Sequence, residues 1–183
     1  MNRQFCISVI TVLLGFTTMP GSAQEEVYIT RNGDIRVNTV FRDSDLTISG
    51  KELQVNLNYE TADITMKLDI STLRSVDPFI DSLLQLQRGV LITFQGRLGI
   101  DYVNTKSHPP QDFEVEGYLQ PAQVQIRGRG HLEHLFEGNF YACLLDMSFY
   151  LENSALLKPG NVDGMGDFTH IDIIHTVLKR SNE

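Results

Sequence analysis

Taken two residues at a time, much of this chain sorts into an apolar row and a polar row. Ile64, Met66, Leu68 and Ile70 alternate with Thr65, Lys67 and Asp69, and Ile92, Phe94, Gly96, Leu98, Ile100 and Tyr102 alternate with Thr93, Gln95, Arg97, Gly99 and Asp101. The same period runs through Phe113, Val115, Gly117 and Leu119, and through Val124, Ile126, Gly128, Gly130 and Leu132. A period of two marks a strand with one face in a core and one in water. Strands are expected at VYIT, IRVNTVF, ELQVNLNYE, ADITMKLDI, VLITFQGRLGIDYV, DFEVEGYLQ, AQVQIRGRGHLE, FYACLLDMSFYL and THIDIIHTVL, with breaks at RNGD, ISGKE, KSHPPQ, FEGN and KPGNVDGMGD, which carry turn chemistry. About eight or nine strands in roughly 155 residues predict an all-β fold, an antiparallel barrel, because closing the sheet hides every edge. One short helix interrupts them: Asp77 as N-cap, Pro78 at the first position, Phe79, Ile80, Leu83, Leu84 and Leu86 at helical spacing, and Gly89 to end it.

The apolar row has an odd feature, because Gly96, Gly117, Gly128 and Gly130 occupy positions where a core wants side chains. Two readings are open. Interior glycines mark sharp bends and close backbone approaches, or the missing side chains leave room in a barrel whose size can accommodate one small ligand.

The first residues follow another pattern. Arg3 precedes an apolar run from Phe5 to Phe16, and TTMPGSA then places Gly21 and Ala23 before a cut. This outlines a secretory signal peptide over residues 1–23, too short for a membrane span of about 20 apolar residues. Residues 24–183 then form one domain, with no internal repeat or linker. Cys6 leaves with the signal, so Cys143 has no intrachain disulfide partner. Export without a disulfide points to a bacterial periplasm or exterior. Loss of Arg3 leaves a formal charge of 14 − 23 = −9, so nucleic acid and anionic membrane surfaces are poor partners.

Little in the chain resembles a reaction centre. His108, His131, His134, His170 and His175 are scattered, and His131 and His134 lie three apart, on opposite faces of a strand, so no metal is expected. NVDGMGD lacks the spacing of a calcium-binding EF-hand loop. No G-x-S-x-G elbow occurs. Asp146, an acid within FYACLLDMSFYL, is the first candidate for a barrel enzyme, although alternation puts Phe140, Ala142, Leu144 and Asp146 outside and Tyr141, Cys143, Leu145, Met147, Phe149 and Leu151 inside.

The exported start, the segment ITFQGRL with Phe94 and Gly96, the strand with Val115, Gly117 and Leu119, and the RG element beyond it resemble the YceI-like proteins over roughly Tyr28 to Pro159. The resemblance implies an elongated lipocalin-like barrel that carries isoprenoid or other long-chain lipid. Its lining is expected from Met66, Leu68, Phe94, Leu98, Val115, Ile126, Met147 and Phe149, with Gly96, Gly117 and Gly128 supplying room. Moving hydrocarbon from water into such a lining contributes about 0.8 kcal/mol per CH₂, so neither a catalytic residue nor a cofactor is required. A structural or adhesive barrel filled by its own side chains is the alternative, followed by a barrel enzyme using Asp146 or a histidine.

Overall fold

The computed structural model describes residues 27–100, 109–137, 140–153 and 164–181; the expected signal peptide, His108 and Asn161 to Asp163 of NVDGMGD lie outside the described residues. The strands are β1 (Val27–Phe41), β2 (Ser44–Asn58), β3 (Asp63–Asp69), β4 (Arg74–Ser75), β5 (Leu91–Leu98), β6 (Gln111–Gln120), β7 (Val124–Glu137), β8 (Phe140–Glu152) and β9 (Met165–Arg180), with helix α1 (Pro78–Leu86) between β4 and β5. They form one sheet in the order β1-β9-β8-β7-β6-β5-β3-β2-β4, and β1 also pairs with β2. That extra pairing closes eight strands into an antiparallel, lipocalin-like barrel, leaving β4 as a short addition on β2.

The apolar row turns inward. Leu57, Ile64, Leu98, Val115, Leu132, Cys143, Leu145 and Leu178 are fully enclosed, and among the described residues no Asp, Glu, Lys or Arg is buried. The outer rows carry the charges, including Lys67, Arg97, Glu114, Glu116, Arg127 and Arg129. This is the reverse of a barrel whose outside faces lipid. No helix among the described residues is long and apolar enough to cross a membrane.

Two expected breaks are corrected. RNGD and ISGKE do not end strands: VYIT and IRVNTVF form one 15-residue strand, and ELQVNLNYE is the second half of another. Thr30 pairs with Val55, Gly33 with Leu53 and Ile35 with Gly50, so β1 carries an extra residue and β2 then carries one that restores the register. Each bulge changes which parity faces inward. The reversal between β1 and β2 falls at Arg42 and Asp43, both at positive φ (50° and 61°), as a two-residue hairpin requires. No glycine announces it; the Arg42 N–H donates to the Gly164 carbonyl at 2.7 Å. VLITFQGRLGIDYV is also shorter than expected, since β5 stops at Leu98.

Helix α1 starts as its sequence predicts. The Asp77 carboxylate accepts from the Phe79 and Ile80 N–H groups, both at 2.9 Å, satisfying two donors that a first turn leaves open. It stops at Leu86, and Gly89 follows at φ 78°. Ile80 is buried in the barrel core and Leu83 and Leu84 pack against it. Near the start of β9, Asn153 bridges strands: its amide donates to the Gly166 carbonyl at 2.5 Å and its oxygen accepts from Thr169 at 2.5 Å, while Thr39 donates to the Phe168 carbonyl at 3.0 Å. Burial of these polar groups is tolerated because each is hydrogen-bonded.

Candidate functional site

The expected lining residues are all buried and belong to one core. Registers join them across strands: Met66 opposes Phe94, Leu98 opposes Val115, Val115 opposes Gly128, Gly117 opposes Ile126, Gly128 opposes Phe149 and Gly130 opposes Met147. Leu68 continues the row, opposite Ile92. Phe94 and Phe149 meet edge to face, ring centres 5.3 Å apart, a favourable aromatic arrangement.

The glycines are not holes. A Cβ on Gly117 would stand 2.5 Å from the Gly96 Cα, with the Gln95 carbonyl oxygen closer still. Gly96 and Gly117 oppose each other directly, so the strands approach too closely there for two side chains. At Gly128 the space is held by Phe149 Cδ1, 2.6 Å from where a Cβ would be, and at Gly96 by Phe94 Cζ at 2.5 Å; Phe113 occupies the corresponding place at Gly130. Three phenyl rings therefore lie against glycine backbone and take the space that a side chain there would need.

A further cluster was not singled out from sequence. Tyr28 and Tyr59 stack with centroids 4.2 Å apart, and the Tyr59 hydroxyl contacts Cys143 Sγ, with His134 Nδ1 3.7 Å from the same sulfur. Burial pushes the Cys143 thiol from 9.0 up to about 12, against a smaller lowering from the Tyr59 hydrogen bond. The alternation Leu53, Val55, Leu57, Tyr59 in ELQVNLNYE carried a signal for half of this cluster.

The polar candidates sit elsewhere. On β9, Ile174 and His175 together face Asp146, because Leu145 pairs with Thr176 while Met147 pairs with Ile173. His175 has φ 43° and its N–H donates to Asp146 Oδ1 at 2.7 Å. Asp146 thus holds a bulge, and its face is the outer one that alternation assigned. His131 pairs with Asp112 on the outside at 2.7 Å, whereas His134 turns toward Cys143. Among the described residues no three His, Cys, Asp or Glu side chains gather as metal ligands. Ser148, His170 and Asp172 do meet on the outer face, Ser148 Oγ lying 2.7 Å and Asp172 Oδ1 3.4 Å from His170. Both contacts are to Nε2, whereas a hydrolytic triad needs the acid on the other ring nitrogen.

Neither a family model nor a curated protein matches the sequence. Among solved structures, a polyisoprenoid binding domain from Saccharophagus degradans implicated in plant cell wall breakdown superposes with a TM-score of 0.62 at 7% identity, over 86% of this chain and 99% of that one. BcnA from Burkholderia cenocepacia superposes with a TM-score of 0.51 at 13% identity, over 79% of this chain and 94% of that one. At these identities the likeness is one of fold.

Proposed function

We propose that the chain is exported and that its barrel holds an apolar, chain-like lipid, an isoprenoid or another long hydrocarbon, without catalysing a reaction. The observation that carries this reading is the continuous apolar inner face running from Met66 and Leu68 through Phe94, Leu98, Val115 and Ile126 to Met147 and Phe149, with no buried charge among the described residues. The fold shared with a polyisoprenoid binding domain supports it. In this reading Gly96 and Gly128 supply room for the Phe94 and Phe149 rings against the wall rather than for the ligand directly. Each buried CH₂ of the ligand contributes about 0.8 kcal/mol.

The test is titration with a fluorescent polyene fatty acid, followed by competition with a polyprenol. Emission should rise on addition of protein and fall again as the polyprenol displaces the probe. A filled structural barrel is the second reading, favoured by the same rings, since they occupy the spaces above Gly96, Gly128 and Gly130. It predicts no rise in emission. Export has a separate check: N-terminal sequencing of material from its own host should begin near Gln24, and a soluble chain starting at Met1 would contradict export.

A further inference from the structure

The outer face carries a feature unrelated to the lumen. A trough of about 1260 Å³ crosses it, lined among others by Arg97 on β5, Glu114 on β6, Arg129 on β7, Ser148 and Tyr150 on β8 and His170 on β9. Five adjacent strands at about 4.8 Å spacing give it a length of roughly 19 Å across the sheet. Tyr150 and His170 are held in place. Tyr150 is 68% exposed, yet its ring is flanked by Phe168 and His170, centroids 5.6 and 5.8 Å away. Ser148 and Asp172 fix the His170 ring through Nε2, and Asp172 is itself held by the Asn38 amide at 3.4 Å. His170 Nδ1 therefore remains open to a ligand among the described residues.

We infer that this trough binds a neutral oligosaccharide. Tyr150 offers an exposed ring face on which the C–H face of a sugar can stack. Around it stand donors, Arg97 and Arg129, which make no ion pair among the described residues, and acceptors, the Glu114 carboxylate and His170 Nδ1. Vicinal hydroxyls both donate and accept, so they match a mixed set of this kind. A strongly anionic ligand would meet Glu114 and Glu116, and a cationic one the arginines. The length across five strands suits several sugar units in a row. The floor of the trough also touches Leu98 and Val115 of the barrel wall, but Arg97, Glu114, Arg129, Ser148, Tyr150 and His170 belong to the outer rows of their strands, so a ligand held by them does not occupy the lumen.

Calorimetric titration with cellohexaose, mannohexaose and maltohexaose, with a heparin hexasaccharide as anionic comparator, tests this. At least one neutral hexasaccharide should bind, more tightly than heparin, and Tyr150→Ala and Arg129→Ala should each weaken it by about tenfold or more, while Tyr150→Phe retains binding and uptake of the polyene probe stays unchanged. Thermal unfolding of Tyr150→Ala should match the parent, because the ring is exposed. No heat from any neutral hexasaccharide at millimolar concentration, an affinity indifferent to Tyr150→Ala, or tighter binding of heparin would overturn the assignment.

Discussion

Gly117 shows at one residue what the inner face demands. Valine there would drive a side chain into the Gln95 carbonyl and the Gly96 Cα, and β5 and β6 would have to separate. We expect Gly117→Val to lower unfolding stability by about 2 kcal/mol or more, read as the urea midpoint, with any loss of probe binding following the loss of fold. An unchanged midpoint would contradict the close approach. Gly89 is the internal comparison, since nothing lies within 4 Å of its missing Cβ and only its φ of 78° resists substitution, a cost of about 1 kcal/mol. Cys143 gives a second prediction at this scale. Its thiol stays protonated in the fold, while in the unfolded chain it ionises near 9.0, so stability should fall as pH rises from 9.0 toward about 12. Iodoacetamide at mildly alkaline pH should leave Cys143 unlabelled until denaturant is added, as intact mass would show; rapid labelling of the native protein would contradict its burial. Alternation alone gave the positions of these glycines and of Cys143, but not what fills the space above the glycines, because the rings of Phe94 and Phe149 reach them from their own strand or across a ladder.

At the scale of elements, bulges decide what the sequence pattern can and cannot say. Asn32-Gly33 and Gly50-Lys51 carry the chemistry of turns, and that is how they read; in the barrel they lie within strands beside the register shifts, where Gly33 leaves room for Thr176 and Gly50 for Leu73 rather than adopting a positive φ. The true hairpin at Arg42-Asp43 has no glycine signal, and its conformation is set by the register of Phe41 against Ser44. In β9, Ile173 faces inward and so does Thr176, which no strict two-residue period produces; His175 is the extra residue. Replacing Asp146 with alanine removes the acceptor of the His175 N–H and should cost about 1–3 kcal/mol, with faster amide exchange at His175 than in the parent. Exchange unchanged from the parent would show that the carboxylate does not hold the bulge. The helix, by contrast, was legible because its N-cap is local: Asp77→Ala should destabilise the protein by about 1 kcal/mol, seen as a lower thermal midpoint.

For the whole molecule, the sequence pattern carried an antiparallel barrel of eight or nine strands and its apolar interior, since every long strand has one wet face and one dry face and a closed sheet buries the dry faces while hiding its edges. It did not carry the outer trough, which exists because strands far apart in sequence bring Arg97, Glu114, Arg129, Tyr150 and His170 to one surface. The central claim is that the barrel holds an apolar chain. Native mass spectrometry of protein purified from its own host, followed by organic extraction, tests it most directly. The account predicts an added mass that the solvent removes and that proves to be a long-chain hydrocarbon lipid; a protein that flies at its bare chain mass and yields no lipid on extraction would contradict it.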